Sequence, residues 1–116
     1  MAVTWKWLNK TNLTISGTAE AIVTNPALTK TFIPAVVIHN THSSTVAVTL
    51  YAVPNATGSV GTAADGNEIF KATLAVDETY TLTDMKVILD ATNDTLQAVA
   101  GTADVVTIFV MGAWQT

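Results

Sequence analysis

The sequence predicts an all-β protein: an antiparallel β-sandwich of the jelly-roll or immunoglobulin-like kind, folded as a single domain. Of its 116 residues, 42 are β-branched (21 Thr, 14 Val and 7 Ile), and branching at Cβ favours a pleated strand over a helix. Apolar and polar residues alternate in several segments, which is typical of strands with one buried face. Turn signals recur every ~8–12 residues, as they do in sandwiches and small barrels.

These patterns predict ten strands. In chain order they lie near residues 3–8, 12–16, 19–24, 31–39, 45–53, 67–74, 78–83, 86–90, 95–100 and 104–111. The alternation is clearest in the fifth strand, where Val46, Val48 and Leu50 point to one side. In the seventh strand, Tyr80 and Leu82 share one face and Thr residues occupy the other.

Turn-forming residues separate these strands. Asn25-Pro26 ends the third strand, and the polar residues 40–44 form a hairpin loop. Residues 54–67 form a long loop that contains three glycines, and residues 76–78 and 90–94 are shorter connections. Such clusters of Gly, Pro, Asn, Asp and Ser are the usual boundaries of strands.

Two features depart from a regular sandwich. Pro34 lies within the fourth strand and cannot donate a ladder hydrogen bond, so we expect an edge or a bulge there. Residues 1–30 fit a compact sheet less well than residues 31–116, and two interpretations remain open. They form an arm that packs on a neighbouring subunit, or they form the first strands of the sandwich itself.

Composition excludes several function classes. The chain has no Cys and no Arg, a net charge of −4 and five scattered Lys. It therefore has no disulfide framework, Cys zinc site or Cys nucleophile, and it lacks the clustered cations that nucleic-acid binding requires. The mean hydropathy is +0.40, yet no apolar run approaches the ~20 residues of a spanning helix. The first residues do not have the pattern of a secretory signal.

No set of residues predicts catalysis or a cofactor. His39 and His42 are three residues apart, but a metal site would need a third protein ligand. The candidates for that ligand are Asp65, Glu68, Asp77 and Glu78. Residues 65–68 begin like a calcium loop without the spacing of an EF-hand. We therefore expect no enzyme, no metal and no cofactor.

Three tryptophans are the candidate partner-binding residues. Trp5 and Trp7 share one face of the first strand, and Trp114 is third from the last residue. Tryptophan buries a large area at a small entropic cost and is enriched among the residues that dominate binding energy. In the other interpretation, the first and last strands pair and these side chains cap the sandwich.

The surface composition favours association. Only 12% of the residues are charged and 49% are hydrophobic, whereas the surfaces of soluble domains usually carry roughly 25–35% charged residues. Apolar area beyond the needs of one core usually lies in subunit or partner interfaces. We therefore expect a homo-oligomer or a subunit of a larger shell.

Residues 31–112 resemble small structural proteins of tailed bacteriophages. The similar segments are AVVIHNT (35–41), VAVTLYAVP (46–54), GTAADGNEI (61–69), LAVDETYTL (74–82) and DTLQAVA (94–100). The proteins that these segments resemble are β-sandwich virion components, some of which are head decoration or cement proteins, often trimeric. The resemblance carries no catalytic motif.

The resemblance implies a non-enzymatic capsid decoration or cement subunit that bridges capsomers. It would be made in the host cytoplasm and located on the phage head, with the major capsid protein as its partner and a homotrimer as its favoured assembly. Neither nucleic acid nor membrane is expected as a partner. A tail or neck accessory protein is a close variant of this role. The alternative of a different class is a carbohydrate- or receptor-binding β-sandwich module that uses exposed aromatics, His42 and the loop 54–67.

Overall fold

The protein is seen in a computed structural model, which describes residues 2–9, 12–13 and 18–116. The prediction of an all-β sandwich is confirmed. The strands are β1 (Val3–Asn9), β2 (Asn12–Leu13), β3 (Glu20–Thr24), β4 (Lys30–Asn40), β5 (Val46–Val53), β6 (Glu68–Leu74), β7 (Thr79–Leu82), β8 (Val87–Leu89), β9 (Thr95–Ala100) and β10 (Val106–Gln115). A 3-10 turn at Asp65–Asn67 lies in the long loop. Residues 14–16 of the predicted second strand lie outside the described residues.

The strands form two antiparallel sheets. Sheet A has the order β1-β10-β4-β7, with β2 also paired to β10 and β8 also paired to β4. Sheet B has the order β3-β9-β5-β6. The chain passes repeatedly from one sheet to the other, so neighbours within a sheet are mostly distant in sequence. The first strand of the chain thus lies beside the last.

The core lies between the two sheets and follows the predicted alternation. Val36 and Ile38 of β4 are fully buried and face the equally buried Val48 and Leu50 of β5 within one cluster. Leu82 and Tyr80 of β7 pair with Val36 and Ile38. Both therefore lie on the same side of sheet A, as their alternation in the sequence predicts. Each buried aliphatic side chain stabilises the fold by ~1.5–3 kcal/mol relative to exposure.

Pro34 lies at a β-bulge, as the sequence predicts. Ala35 pairs with Met111 and Phe32 pairs with Ala113, so β4 carries one extra residue between these two positions. The strand is interior, because β10 lies on one side and β7 and β8 lie on the other. The Pro34 carbonyl accepts a hydrogen bond from the Met85 amide at 2.9 Å, in the gap between β7 and β8.

The last strand is longer than the predicted 104–111. It continues to Gln115, so Gly112 does not end it. A Cβ at Gly112 would collide with the carbonyl oxygen of Phe32 and would lie 2.7 Å from Cδ1 of Leu8. The glycine is therefore there because two strands and a side chain approach closely at the bulge, which is a common reason for glycine within a strand.

The described residues of the segment 1–30 belong to both sheets of this chain. β1 runs antiparallel to β10, from Val3 opposite Gln115 to Asn9 opposite Val110. β3 pairs with β9 at the edge of sheet B. The first strand also forms an edge of sheet A, and its residues 3–7 are exposed.

Candidate interaction surface

The outer face of sheet A is apolar over four neighbouring strands, β1, β10, β4 and β8. Directly paired residues lie on the same side of a sheet, and Trp7 pairs with Met111, which pairs with Ala35. Past the bulge, Trp5 pairs with Ala113, Ala113 with Phe32, and Phe32 with Ile88. We call the resulting surface the apolar face. It consists of Val3, Trp5, Trp7, Phe32, Ala35, Val37, Ile88, Phe109 and Met111, none of which is charged.

Several large side chains of the apolar face are exposed. Trp5 is 66% exposed, Ile88 57% and Trp7 47%. Single exposed apolar residues are normal on a protein surface, but a contiguous group marks an interaction site or an aggregation hazard. The apolar face is thus the surface of this chain that most resembles an interface.

The β-bulge shapes a groove in the apolar face, which we call the apolar groove. Its volume is about 560 Å³, and it is lined by Trp5, Phe32, Pro34, Val87, Ile88 and Ala113, with Lys86 also beside it. Lys86 and Asp84 form an ion pair at 3.6 Å, with both side chains largely exposed. Such exposed pairs contribute little to stability.

The structure separates the three candidate tryptophans. Trp5 and Trp7 lie together on the apolar face, whereas Trp114 pairs with Thr4 and Thr31 and points to the opposite side of the sheet. The Nζ of Lys6 lies 3.8 Å from the centroid of the Trp114 ring, a cation–π contact. The buried Nε1 of Trp114 has no hydrogen-bond partner among the described residues. Trp114 therefore does not belong to the apolar face.

The two histidines are not brought together with acidic ligands. The Nδ1 of His39 lies 2.7 Å from Oγ1 of Thr79, and the backbone amide of His42 donates to Oδ1 of Asn40 at 2.8 Å. Among the described residues, no group of three His, Asp or Glu side chains is placed to hold a metal ion. Glu78 caps its own turn, since its Oε1 accepts a bond from the amide of Ala75 at 2.8 Å.

The long loop 54–67 folds back over the outer face of sheet B. The Nε2 of Gln97 donates to the carbonyl of Gly61 at 2.9 Å, which holds the loop on β9. A cleft of about 540 Å³ remains between loop and sheet, lined by Tyr51, Gln97, Val99 and Thr62 among others. His42 follows the end of β4 and precedes β5, whereas the loop follows β5, so the length of β5 separates them. His42 and the start of this loop therefore lie at opposite ends of β5.

Asp94 is a buried carboxylate at the end of the connection 90–94. Its Oδ1 accepts bonds from the backbone amide and the side-chain amide of Asn55, at 2.8 and 3.1 Å. Its Oδ2 accepts bonds from the amides of Ala91 at 3.0 Å and Asp90 at 3.3 Å. Burial alone would raise the pKa of Asp94, but these donors outweigh it and hold the pKa below its usual value of 3.8.

The burial of two asparagines was also not predicted from the sequence. Asn25 donates to the carbonyls of Thr29 and Ala91 at 2.7 and 2.9 Å, and its Oδ1 accepts a 2.6 Å bond from the hydroxyl of Thr31. At the other end of the sandwich, the Nδ2 of Asn40 lies 2.9 Å from the carbonyl of Ser44. An Asn that precedes a Pro or ends an apolar strand is the signal that could have revealed both.

Comparisons with known proteins give no family and a weak structural likeness. No protein-family model matches the chain, and no curated protein matches it. The chain is similar to a chain in the structure of infectious bursal disease virus, Gt strain, with a TM-score of 0.36 and 12% sequence identity. The match covers 97% of this chain and 30% of the viral chain, so this chain spans less than a third of the other's length. At this TM-score the match is a weak likeness to a viral structure.

Within the described residues, no helix has the length and hydropathy to cross a membrane.

Proposed function

We propose that this protein is a non-enzymatic structural subunit of a virion, a decoration or cement protein that binds the major capsid protein of a phage head. The observation that carries the proposal is the apolar face, on which Trp5 and Trp7 lie side by side and exposed. The resemblance of residues 31–112 to phage structural proteins supports the same role.

The apolar face has the physical character of a permanent contact. Tryptophan buries ~150–250 Å², so the exposed fractions of Trp5 and Trp7 alone offer roughly 170–280 Å². A standard interface takes ~800 Å² from each partner, and the remaining apolar residues extend the surface toward that size. Because the nine residues of the face are uncharged, a partner can cover them without the cost of desolvating an ion.

Several contacts per subunit would bind the particle more tightly than one contact can. A subunit that contacts two neighbouring capsomers gains avidity, because the second contact forms at a high effective concentration. A homotrimer on the head surface is the assembly that we propose, and a site on the tail or neck is the variant of this role. At either location the apolar face would form the contact with the neighbouring virion protein.

The proposal is tested by rebinding to particles. Particles would be purified from a phage whose gene for this chain has been deleted, and the wild-type protein would be titrated onto them and sedimented. We expect saturable binding for the wild type and at least a tenfold loss for the W5A/W7A variant, since truncation of central tryptophans commonly costs ~2 kcal/mol or more. Circular dichroism would show that the variant remains folded.

The matched control is Ile69→Ala. Ile69 is exposed on β6, at the far edge of sheet B, so its truncation removes apolar surface without touching the apolar face. It should bind as the wild type does. Equal binding by W5A/W7A and the wild type, or failure of the wild type to bind at all, would contradict the proposal.

One observation favours a second candidate function, a carbohydrate-binding module. The cleft beneath the loop 54–67 combines the ring of Tyr51 with the polar side chains of Gln97 and Thr62, and aromatic and amide groups together suit a sugar. A glycan array separates the two candidates. Binding that is lost in Tyr51→Ala and kept in W5A/W7A would favour the carbohydrate module, and an array with no signal would favour the structural subunit.

A further inference from the structure

Lys6 is a charged residue on the inner side of an apolar edge strand. Side chains alternate along β1, so Trp5 and Trp7 face outward on the apolar face, whereas Lys6 pairs with Gly112 and points to the side of sheet A that faces sheet B. It is the one charged residue of β1. The inner side of sheet A is otherwise built largely of aliphatic core residues, so a cation on this side is costly unless it has a partner.

A contact with Trp114 holds the Lys6 side chain in this orientation. The Nζ of Lys6 lies 3.8 Å from the centroid of the Trp114 ring, and Trp114 is on the same inner side because it pairs with Thr4. An ammonium group is attracted to the face of an indole ring. Lys6 stays exposed as well, so its charge lies at the inner margin of the sheet, between the ring and water.

The free side of β1 is an open edge of sheet A. Among the described residues, β1 pairs with β10 alone, and its ladder from Val3 to Trp7 is uninterrupted. On such a strand every second residue presents its amide and carbonyl to the free side, where a further strand can pair. Apart from Lys6, residues 3–8 are neutral Val, Thr, Trp and Leu, a composition that favours strand addition.

The other edges of the two sheets carry protection of a different kind. Both edges of sheet B, β3 and β6, contain a register shift within the strand. The opposite edge of sheet A is divided between β7 and β8, which have four and three residues. Bulges and short strands are two devices that prevent pairing between sheet edges, and an inward-pointing charge is a third. Over residues 3–7, β1 has only the third.

We propose that Lys6 keeps the free edge of β1 from pairing with β1 of a second copy. Two identical strands would pair antiparallel about a twofold axis, with opposite side chains ~4.5–5.5 Å apart. The register centred on Lys6 places two ammonium groups against each other. The register centred on Trp5 places Lys6 against Thr4, and the register centred on Trp7 places it against Leu8. In both, the added strand covers the side of Lys6 that water reaches, and removing water from a charge is costly.

This inference goes beyond the proposed function, because it concerns an association that the protein avoids and needs no capsid. It uses the backbone edge of β1 and makes no use of the apolar face. Closed assemblies that form through other surfaces, such as the proposed homotrimer, are compatible with it. Particle binding and mass in solution are measured separately, so failure of this inference is distinguishable from failure of the proposed function.

The test is the mass of the protein in solution, measured by light scattering behind size exclusion at micromolar concentration. K6M removes the charge and keeps an unbranched side chain against Trp114. K6T removes the charge with a polar residue, so an added hydrophobic contact would not explain its behaviour. We expect each variant to have at least twice the wild-type mass, and circular dichroism would show that it is folded. K6T decides the question if K6M does not fold.

Two matched variants control for charge and position. K6R keeps a cation that can stack on Trp114, and it should have the wild-type mass. K71M removes the same charge from an exposed position on β6, an edge that carries a register shift, and it should also have the wild-type mass. A doubled mass for K6R or K71M would overturn the proposal, as would a folded K6M or K6T with the wild-type mass.

Hydrogen exchange with mass spectrometry locates the new contact. In the wild type, about half of the amides of residues 3–9 should exchange rapidly, because they face the free side of β1. In assembled K6M these amides should exchange at least tenfold more slowly, while residues 20–24 and 68–74 on the edges of sheet B are unchanged. Protection of every amide of residues 3–9 in the wild type, or no gain of protection there in assembled K6M, would overturn the proposal.

Discussion

Trp7 packs edge-to-face against Phe109, with 5.8 Å between the ring centroids and an angle of 63° between the rings. The two residues lie on neighbouring strands, β1 and β10, and both belong to the apolar face. The contact holds one side of an exposed tryptophan in place before any partner arrives. Less side-chain entropy is then lost on binding, which makes Trp7 a better anchor than a mobile ring would be.

A double-mutant cycle on this pair should show coupling. Trp7→Ala and Phe109→Ala, alone and combined, would be measured by urea denaturation. Edge-to-face pairs contribute ~0.5–1.5 kcal/mol beyond burial, so we expect a coupling energy of that size in the free energy of unfolding. Trp7→Ala combined with Ile69→Ala, on the other sheet, serves as control and should be additive within ~0.5 kcal/mol. Additivity of Trp7 with Phe109 would contradict the packing described here.

Gly112→Ala should destabilise the protein by ~1–3 kcal/mol, because the new Cβ meets the backbone of Phe32 and forces a shift at the bulge. Gly66→Ala is the matched control. A Cβ at Gly66 has no heavy atom within 4 Å, so this change should be neutral or stabilise by up to ~1 kcal/mol. Thermal denaturation of both variants measures the difference. Equal melting temperatures would show that β4 and β10 do not approach as described.

Asp94→Asn should lower the free energy of unfolding by about 2–3 kcal/mol at neutral pH, because a charged acceptor is replaced by an amide that presents N–H groups to donors. The pKa of Asp94 is lower in the folded state than its usual 3.8. The carboxylate therefore stabilises the fold fully above the unfolded pKa, and this contribution is lost as pH falls through the folded pKa.

Urea denaturation over a range of pH checks the direction in which the contribution of Asp94 to stability changes with pH. The difference in stability between wild type and Asp94→Asn should be largest near neutral pH and should shrink below about pH 4. A difference that stays constant with pH would mean that the charge of Asp94 is not what the donors stabilise.

Much of the fold was predictable because the side chains of a strand alternate. Val46, Val48 and Leu50 face the core as their spacing indicates, and Pro34 marks a bulge because it cannot donate to the ladder. The pairing of β1 with β10 was one of two open interpretations, because no local pattern specifies which distant strands become neighbours. The predicted end of the last strand at residue 111 was wrong. Gly112 favours a turn when the sequence is considered alone, but in the fold it is a strand residue that lies against the backbone of Phe32.

The candidate surface was predictable only in part. The spacing of Trp5 and Trp7 places them on one face of a strand, and the structure confirms this placement. That Trp114 lies on the opposite side follows from its register with Thr4, which no sequence pattern reveals. The left-handed backbone of Leu28 was equally hidden, because Leu rarely adopts it and the turn is held by hydrogen bonds of Asn25 and Thr29.

The proposed function requires that the apolar face be covered in the assembled particle. Hydroxyl-radical footprinting with mass spectrometry tests it directly, by comparing oxidation of the wild-type protein free in solution and bound to particles. We expect strong protection of Trp5 and Trp7 on the particle, with oxidation of the exposed Tyr80, which points away from the apolar face, unchanged. Equal oxidation of Trp5 and Trp7 in the free and bound protein would contradict the claim.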